Sequence, residues 1–480
     1  VLPNDINSTD PAALEFTADE MLALGHTVVE HAVQHLRTLP DQAIRGDITN
    51  VDFCRSLREP APEQPAALQP LLDLLFTELI PRSFNTAAPG YLAYIPGGGV
   101  YPAALADFIA NTANRYTGVW TAAPALVQLE ANVLDWLKTW MGFPATAAGL
   151  LTTGGSGATF NAVVCAREKY LGHDIRSGVL YTSDQGHHSI GKAAKLAGIA
   201  HDRIRAIPSD HLFRLDVSAL SRAITADRAQ GLTPFMVASS AGTTNTGAVD
   251  PLNEIADLCA REQLWHHVDG AYGAFFHMCP ELRSLLPGLS RADSLTLDPH
   301  KGMFLPYGTG ALLVRDGEAL RSVHSATAGY LPENQEEFYD PAQYGPELSR
   351  GFPGLRVWMS VKMFGAERYR AAIREKRMLA VWCADQVARI PGIVIDAQPQ
   401  LSLFAFHVES PSLDTQAKRN AATQQLIEQV TSRGRVMLTG CMVDGRFLAR
   451  ICVLSFRTRM ADMEVCVRHI ADVAERLVTN

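Results

Sequence analysis

The 480-residue sequence predicts an α/β fold built on a mainly parallel sheet. Three observations carry that prediction. Between residues 83 and 351, short apolar runs alternate with stretches of helical periodicity, the mark of strand–helix–strand units whose strands lie side by side. Polar and glycine-rich clusters follow directly after several of those runs, as they do where a parallel sheet turns its carboxyl edge to a ligand. On either side the pattern changes: a helical segment precedes the sheet region, and a small α+β domain, residues 352–480, follows it.

Residues 1–82 form the first unit. Apolar spacing over 17–38 and again over 66–79 predicts two amphipathic helices. The link Glu59-Pro60-Ala61-Pro62-Glu63-Gln64-Pro65 separates them. Two such helices cannot make a core of their own, so they are expected to pack on another body, a second subunit being one candidate. In the large α/β domain, residues 83–351, the strand candidates are 178–182, 235–239, 264–268, 294–297 and 310–314. The last unit reads as a long helix over 355–390, a strand over 401–407 and a helix over 415–432. Strands over 436–439 and 447–454 and a closing helix over 461–478 complete it.

Composition narrows the function. With 47% hydrophobic and 19% charged residues the chain has the balance of a globular protein. No apolar run is long enough to cross a bilayer. The opening Val1-Leu2-Pro3-Asn4-Asp5 lacks a basic-then-apolar leader, so a cytoplasmic protein with no membrane partner is expected. A net charge of -8 without a Lys/Arg cluster argues against nucleic acid. The eight cysteines are scattered, with no C-x-x-C pair. They point to buried free thiols, with no metal site and no disulfide framework.

Four clusters carry chemistry. Thr152-Thr153-Gly154-Gly155-Ser156-Gly157-Ala158-Thr159 is a glycine-rich turn opening into a helical pattern, where free N–H groups and the helix dipole favour a phosphate; a plain tight turn explains it as well. Asp184-Gln185-Gly186-His187-His188-Ser189 places a histidine after a strand, able to stack on a flat ring or sit in a solvated loop. Ser240-Ala241-Gly242-Thr243-Thr244-Asn245 offers small hydroxyls to a ligand or forms a turn. The fourth pairs Asp269, ending an apolar run, with Lys301 in Asp298-Pro299-His300-Lys301. An unpaired carboxylate or ammonium at the end of an apolar run is costly. A lysine holding pyridoxal phosphate as a Schiff base, with a carboxylate on the pyridine nitrogen, resolves both costs. Structural salt bridges would do so for each residue separately. The joint order of glycine loop, histidine, acid and lysine favours the cofactor.

On these motifs the chain resembles the pyridoxal-phosphate-dependent amino-acid decarboxylases of group II, the aromatic-L-amino-acid and glutamate decarboxylase type, with the type I aminotransferase fold. Tyr91-Leu92-Ala93-Tyr94-Ile95-Pro96 and Trp120-Thr121-Ala122-Ala123-Pro124-Ala125 also match the family's substrate-side segments. The resemblance implies that Lys301 anchors the cofactor, Asp269 pairs with its ring nitrogen, Ala271 lies against the ring and His187 stacks on the other face. It places Gly155, Ser156 and Thr244 near the phosphate or ring substituents, with Asp298 and His300 bordering cofactor and substrate. Members are homodimers with the active site at the subunit interface, so residues 1–82 are expected to pack on the dimer partner and Tyr307 to reach its pocket. Tyr94, Pro96, Gly97, Tyr116, Gly118, Trp120, Phe304 and Tyr307 are the expected substrate pocket. Asp298 stands where animal members often have Asn, Gly302 where Trp is common, and Gly97-Gly98-Gly99 and Gly118 where bulkier residues are common. In the mobile loop, about 324–350, the match puts Tyr330 as the residue that returns a proton to the product carbanion, ahead of Tyr339 and Tyr344.

The function expected from the resemblance is α-decarboxylation of an L-amino acid with an aromatic side chain, with Lys301, His187, Asp269 and Tyr330 catalytic. The alternatives are an aldehyde synthase, in which O2 intercepts the same reaction, a non-catalytic cofactor-binding homologue, and a nucleotide-dependent oxidoreductase.

Overall fold

The computed structural model describes residues 14–325 and 337–479. Among these residues seven strands form one sheet: β1 (Ala148–Thr152), β2 (Gly178–Ser183), β3 (Ile204–Ile207), β4 (Thr233–Ser240), β5 (Trp265–Asp269), β6 (Ser294–Leu297) and β7 (Gly310–Val314), in the order β1-β7-β6-β5-β4-β2-β3. β3, β2, β4, β5 and β6 pair in parallel, while β7 lies antiparallel between β6 and β1. The sheet is therefore mostly parallel, as the alternation predicts. The link 298–309, which carries Lys301, turns the chain straight back, so β7 returns beside β6 in the opposite direction. Helices cover both faces, and β2 and β7 are buried along their whole length. That two-sided burial is why such strands read as continuous apolar runs. β1 and β3 are absent from the predicted set. β1 is short and contains glycine, and β3 is an edge strand with an exposed Ala206 beside half-buried Arg205.

The C-terminal part builds a second, antiparallel sheet from β8 (Ile393–Ala397), β9 (Leu403–Val408), β10 (Thr439–Val443) and β11 (Arg446–Cys452), ordered β10-β11-β9-β8. The helices Pro353–Val387, Gln416–Thr431 and Met460–Thr479 pack with it around Phe404, Phe406, Leu426, Ile451, Val473 and their neighbours. The long helix bends at Gly365, whose φ of 75° lies outside the helical region and suits a residue without Cβ. The predicted strand over 436–439 lies further on, at β10. Met437 instead bridges to Tyr91. All eight cysteines are free; Cys54 is exposed and the others are buried or half-buried.

The first helix, Ala18–Thr38, starts at a capping box in which Thr17 and Glu20 satisfy each other's N–H groups. It buries none of its residues, and Met21, Leu22, Val28, Val29 and Val33 stand exposed. The second predicted helix runs as Leu68–Asp73 and continues as π turns over Leu74–Leu79, leaving Leu71, Leu74 and Leu75 open. Among the described residues no helix is long and apolar enough to cross a membrane.

Residues 337–350 are strapped to the stretch that enters the helix Pro124–Met141. Phe338 stacks on Trp120 with ring centres 4.4 Å apart, Asp340 Oδ1 accepts from Trp120 N–H at 3.3 Å, and Tyr116 donates to the Leu348 carbonyl at 3.1 Å. A Cβ at Gly118 would sit 2.1 Å from the Leu348 oxygen, so only glycine allows this approach. The strap ends in a buried ion pair, Arg350 Nη1 to Glu130 Oε1 at 2.5 Å. Removing one partner of such a pair leaves a charge unpaired out of water. Glu130→Ala is therefore expected to cost about 3–5 kcal/mol, read as a lowered urea midpoint. A loss below ~1 kcal/mol would mean that Arg350 finds water or another acceptor.

Candidate active site

The carboxyl ends of β1, β2, β4, β5 and β6 meet at one cavity of about 280 Å³. The turn after β1 contributes Thr153, Gly154, Gly155, Ser156 and Gly157, and the turn after β2 gives His187 and Ser189. From the end of β4 come Ser240, Gly242, Thr243 and Thr244, from β5 and its turn Asp269, Ala271 and Tyr272, and after β6 Asp298, His300 and Lys301. All nine residues expected at the cofactor thus face one space. Thr153, Gly154, Gly157, Ser189, Ser240, Gly242 and Thr243, which stand in the clusters named in the sequence without an individual role, join them, and so does Tyr272. Most sit in the same post-strand turns, and that position was the available signal.

Parallel pairing sets the acids in place. Asp269 pairs with Thr296 across β5 and β6, and its Oδ1 accepts from Ala271 N–H at 3.1 Å, which fixes the carboxylate. Behind it, Trp265 Nε1 donates to Ser294 Oγ at 2.7 Å, and Ser294 Oγ lies 2.8 Å from His267 Nδ1. An indole N–H only donates. The Ser294 hydroxyl accepts from the indole and shares a further hydrogen bond with Nδ1, while His267 Nε2 lies 3.2 Å from Thr296 Oγ1. Burial pushes His267 down to about 4, against the pull of Asp269, and pushes His266 down to about 3. Both rings are neutral at ordinary pH.

Lys301 sits in the single helical turn Pro299–Gly302, its Nζ 2.9 Å from Asp298 Oδ2. Asp298 is 2% exposed, and its Oδ1 is buried without a hydrogen-bond partner among the described residues. Burial raises its proton affinity, with Lys301 and His300 pulling the other way. His300 Nδ1 donates to the Thr309 carbonyl at 2.8 Å, leaving Nε2 3.6 Å from Asp298 Oδ2. His187 caps the helix His188–Leu196: its Nδ1 accepts from Ser189 N–H at 3.3 Å and lies 2.7 Å from Ser189 Oγ. Burial lowers its pKa, opposed by Asp269. The helix Gly155–Leu171 opens at the cavity, and a Cβ at Gly155 would stand 3.1 Å from Asp298 Oδ2 and 3.2 Å from Ala271 Cβ. The loop backbone therefore lies directly on both residues.

The eight residues expected to form a substrate pocket do not line this cavity. Phe304 is 2% exposed and packs in the core between Tyr369 and Phe456. Gly97 backs onto the His300 carbonyl, Pro96 is buried, and Gly118 and Trp120 belong to the strap contacts. Tyr94 and Tyr307 are 50% and 57% exposed, and Tyr116 is also exposed. The Tyr307 ring lies 5.6 Å from that of His300. Tyr330 lies outside the described residues. Tyr339 and Tyr344 stack on each other, away from the cavity lining.

Known proteins resemble this chain over nearly its whole length. The family described as the pyridoxal-dependent decarboxylase conserved domain matches residues 52–409. An aromatic-L-amino-acid decarboxylase of Bacillus atrophaeus is 34% identical over 467 residues, 97% of each chain. The solved structure of Oryza sativa TDC with PLP and tryptamine superposes with a TM-score of 0.92 at 26% identity, covering 98% of this chain and all of that one. The 4-hydroxyphenylacetaldehyde synthase of Rhodiola rosea gives 0.90 at 26% identity, covering 98% of this chain and 100% of that one.

The neutral histidines behind Asp269 make the fold acid-sensitive. Unfolded, each histidine takes a proton below about 6.5; folded, His266 and His267 refuse it until about 3 and about 4. Their stability is fully present above pH ~6.5 and is lost as pH falls, at up to about 1.4 kcal/mol per pH unit for each ring. Urea midpoints between pH 6.5 and 5 should therefore decline. A flat profile would contradict the neutral assignment.

Proposed function

The chain belongs to the pyridoxal-dependent decarboxylase family and is a pyridoxal-phosphate-dependent amino-acid decarboxylase; we propose that its substrate is an aromatic L-amino acid, released as the amine and CO2. The Bacillus relative, matched along almost its whole length, supports that substrate class. One observation carries the assignment of the site: lysine, two acids, a histidine and a glycine-rich helix start converge on a single cavity at the sheet's carboxyl edge.

The cavity suits the cofactor. It offers an amine for the aldehyde, a fixed carboxylate for the ring nitrogen and open N–H groups for the phosphate, and Asp298 Oδ1 is a buried polar atom without a partner among the described residues. When bound, the cofactor supplies an electron sink for the bond to the departing carboxylate. We assign Lys301 Nζ as the anchor and Asp269 as the acid partner that holds a proton on the ring nitrogen. Ala271 supports one ring face without bulk. His187, its Nδ1 engaged by Ser189, turns a neutral ring toward the other. Gly155, Ser156 and Thr244 serve the phosphate. His300, locked on the Thr309 carbonyl, fixes the turn from which Lys301 projects. Tyr330, outside the described residues, is assigned the return of a proton to Cα.

The working unit in this proposal is a homodimer with a shared site. Two features support it: the open apolar face of the N-terminal helices, and the exposure of Tyr94, Tyr116 and Tyr307 at the surface of this chain instead of in its own cavity. The proposed organisation keeps residues 1–82 as the segment that packs on the partner, 83–351 as the cofactor-binding domain and 352–480 as the small domain.

The likeness to the Rhodiola synthase keeps one second reading in play, oxidative release of an aldehyde. A panel of amino acids assayed together for CO2, amine and peroxide separates the two. An aromatic substrate giving amine without peroxide fits the proposal, peroxide equal to CO2 assigns the synthase reaction, and CO2 only from non-aromatic substrates refutes the substrate class. Lys301→Ala should remove covalent cofactor, seen as loss of its visible absorbance, and lower turnover by at least ~1,000-fold. Retained turnover would displace Lys301 from its role.

A further inference from the structure

We propose that cofactor loading is coupled to uptake of one proton at Asp298, so that this chain holds pyridoxal phosphate less tightly as pH rises. The inference rests on the reading of the cavity as the cofactor site. Asp298 is a carboxylate whose surroundings supply one good donor. Its Oδ2 is 2.9 Å from Lys301 Nζ, its Oδ1 has no partner among the described residues, and almost none of it reaches water. The next neighbour of Oδ2, His300 Nε2 at 3.6 Å, presents a lone pair in the neutral ring, because Nδ1 already donates to the Thr309 carbonyl.

Loading consumes two of the three N–H donors at Nζ and fixes the direction of the third. Attachment through the aldehyde breaks its C=O bond and forms a C=N bond at Nζ, and the oxygen leaves as water with two of the three ammonium protons. The remaining N–H belongs to the attached cofactor and no longer to a free ammonium. A phosphate held at the helix start at Gly155 would lie beside the same acid, since the Cβ position there is 3.1 Å from Asp298 Oδ2. The groups facing Asp298 are then His300 from its own turn, Asp269 from β5 and His187 from the turn after β2. Both histidines are held toward neutrality by burial, and Asp269 is a second anion. A buried carboxylate among a lone pair, an acid and a phosphate takes a proton from solvent and becomes a donor. Asparagine at this position would donate without any proton exchange.

The test is cofactor affinity, measured on the apoprotein by equilibrium titration with pyridoxal phosphate across pH, for wild type and Asp298→Asn. Ionisation of the cofactor contributes equally to both proteins, and that of Lys301, which loses its carboxylate neighbour in the variant, is titrated in each apoprotein and subtracted, so the remaining difference isolates Asp298. The expected wild-type Kd rises more steeply than that of the variant, by up to about tenfold per pH unit. Identical slopes overturn the proposal. Should the variant fail to fold, the infrared carbonyl band of a protonated carboxylic acid, appearing in the wild type on loading, supports the proposal, and its absence overturns it. Mass spectrometry after borohydride reduction checks the underlying reading: cofactor bound away from Lys301, or not bound at all, sinks that reading and this inference with it.

Discussion

The register between β5 and β6 is the constraint on which the site depends. His267 opposes Ser294 and Asp269 opposes Thr296, so the acid at the end of one strand and the Asp298 turn after the other reach the same edge together. Ser294 holds that register from within. Its one hydroxyl accepts from Trp265 Nε1 and serves His267 Nδ1, tying three side chains of two strands. Shifting a strand by one residue would send its side chains to the opposite face. It would leave the indole N–H and the imidazole unsatisfied in a water-free interior, where each unpaired group costs about 1–3 kcal/mol. The polar network under the sheet therefore acts as a pin, and the position of Asp269 follows from it.

The small domain reaches the same cavity through its wall. Tyr272 lines the cavity, and its hydroxyl accepts from Ser402 N–H at 2.9 Å while lying 3.1 Å from Ser402 Oγ. Gln400 Oε1 accepts from Val249 N–H at 2.7 Å, just beyond the Thr243–Thr246 turn. Further out, the buried Arg450 donates to the carbonyl of Tyr94 at 2.9 Å and holds that residue at a φ of 51°, a conformation seldom adopted by a non-glycine residue. The second sheet thus braces the turn after β4, the turn after β5 and the Tyr94 segment. Displacing it would move cavity-lining backbone as well as its own core.

How far the sequence carried depended on how many independent signals a position held. Asp269 and Lys301 were legible because each is a charge beside an apolar run, and burial of a lone charge demands a partner. The parallel core strands were legible because two buried faces write continuous apolar runs. β3 was not, since an edge strand with half-buried Arg205 carries no such run, and the direction of β7 could not be read because a buried strand has the same composition either way. The aromatic candidates failed to separate for a related reason. Phe304 and Tyr307 stand three residues apart in one segment, yet one stacks in the core and the other faces solvent. A ring satisfies either place, and only the fold decides.

Asp298 shows why a departure from a familiar pattern is informative. An amide and a carboxylate have nearly the same shape, so packing alone does not distinguish them at this position. What differs is hydrogen-bond polarity: the amide always carries donors, whereas the carboxyl has one only when protonated. Among the described residues the one donor paired with Asp298 in this cavity is the amine that cofactor attachment engages. A carboxyl there makes the balance between free and engaged lysine a function of proton activity, which an amide could not do. Gly155 stands close to that carboxyl: a Cβ there would lie 3.1 Å from Asp298 Oδ2. Its backbone lies against the acid whose charge changes, and the helix start behind it is the local source of positive potential that favours an anion on either side of that proton exchange.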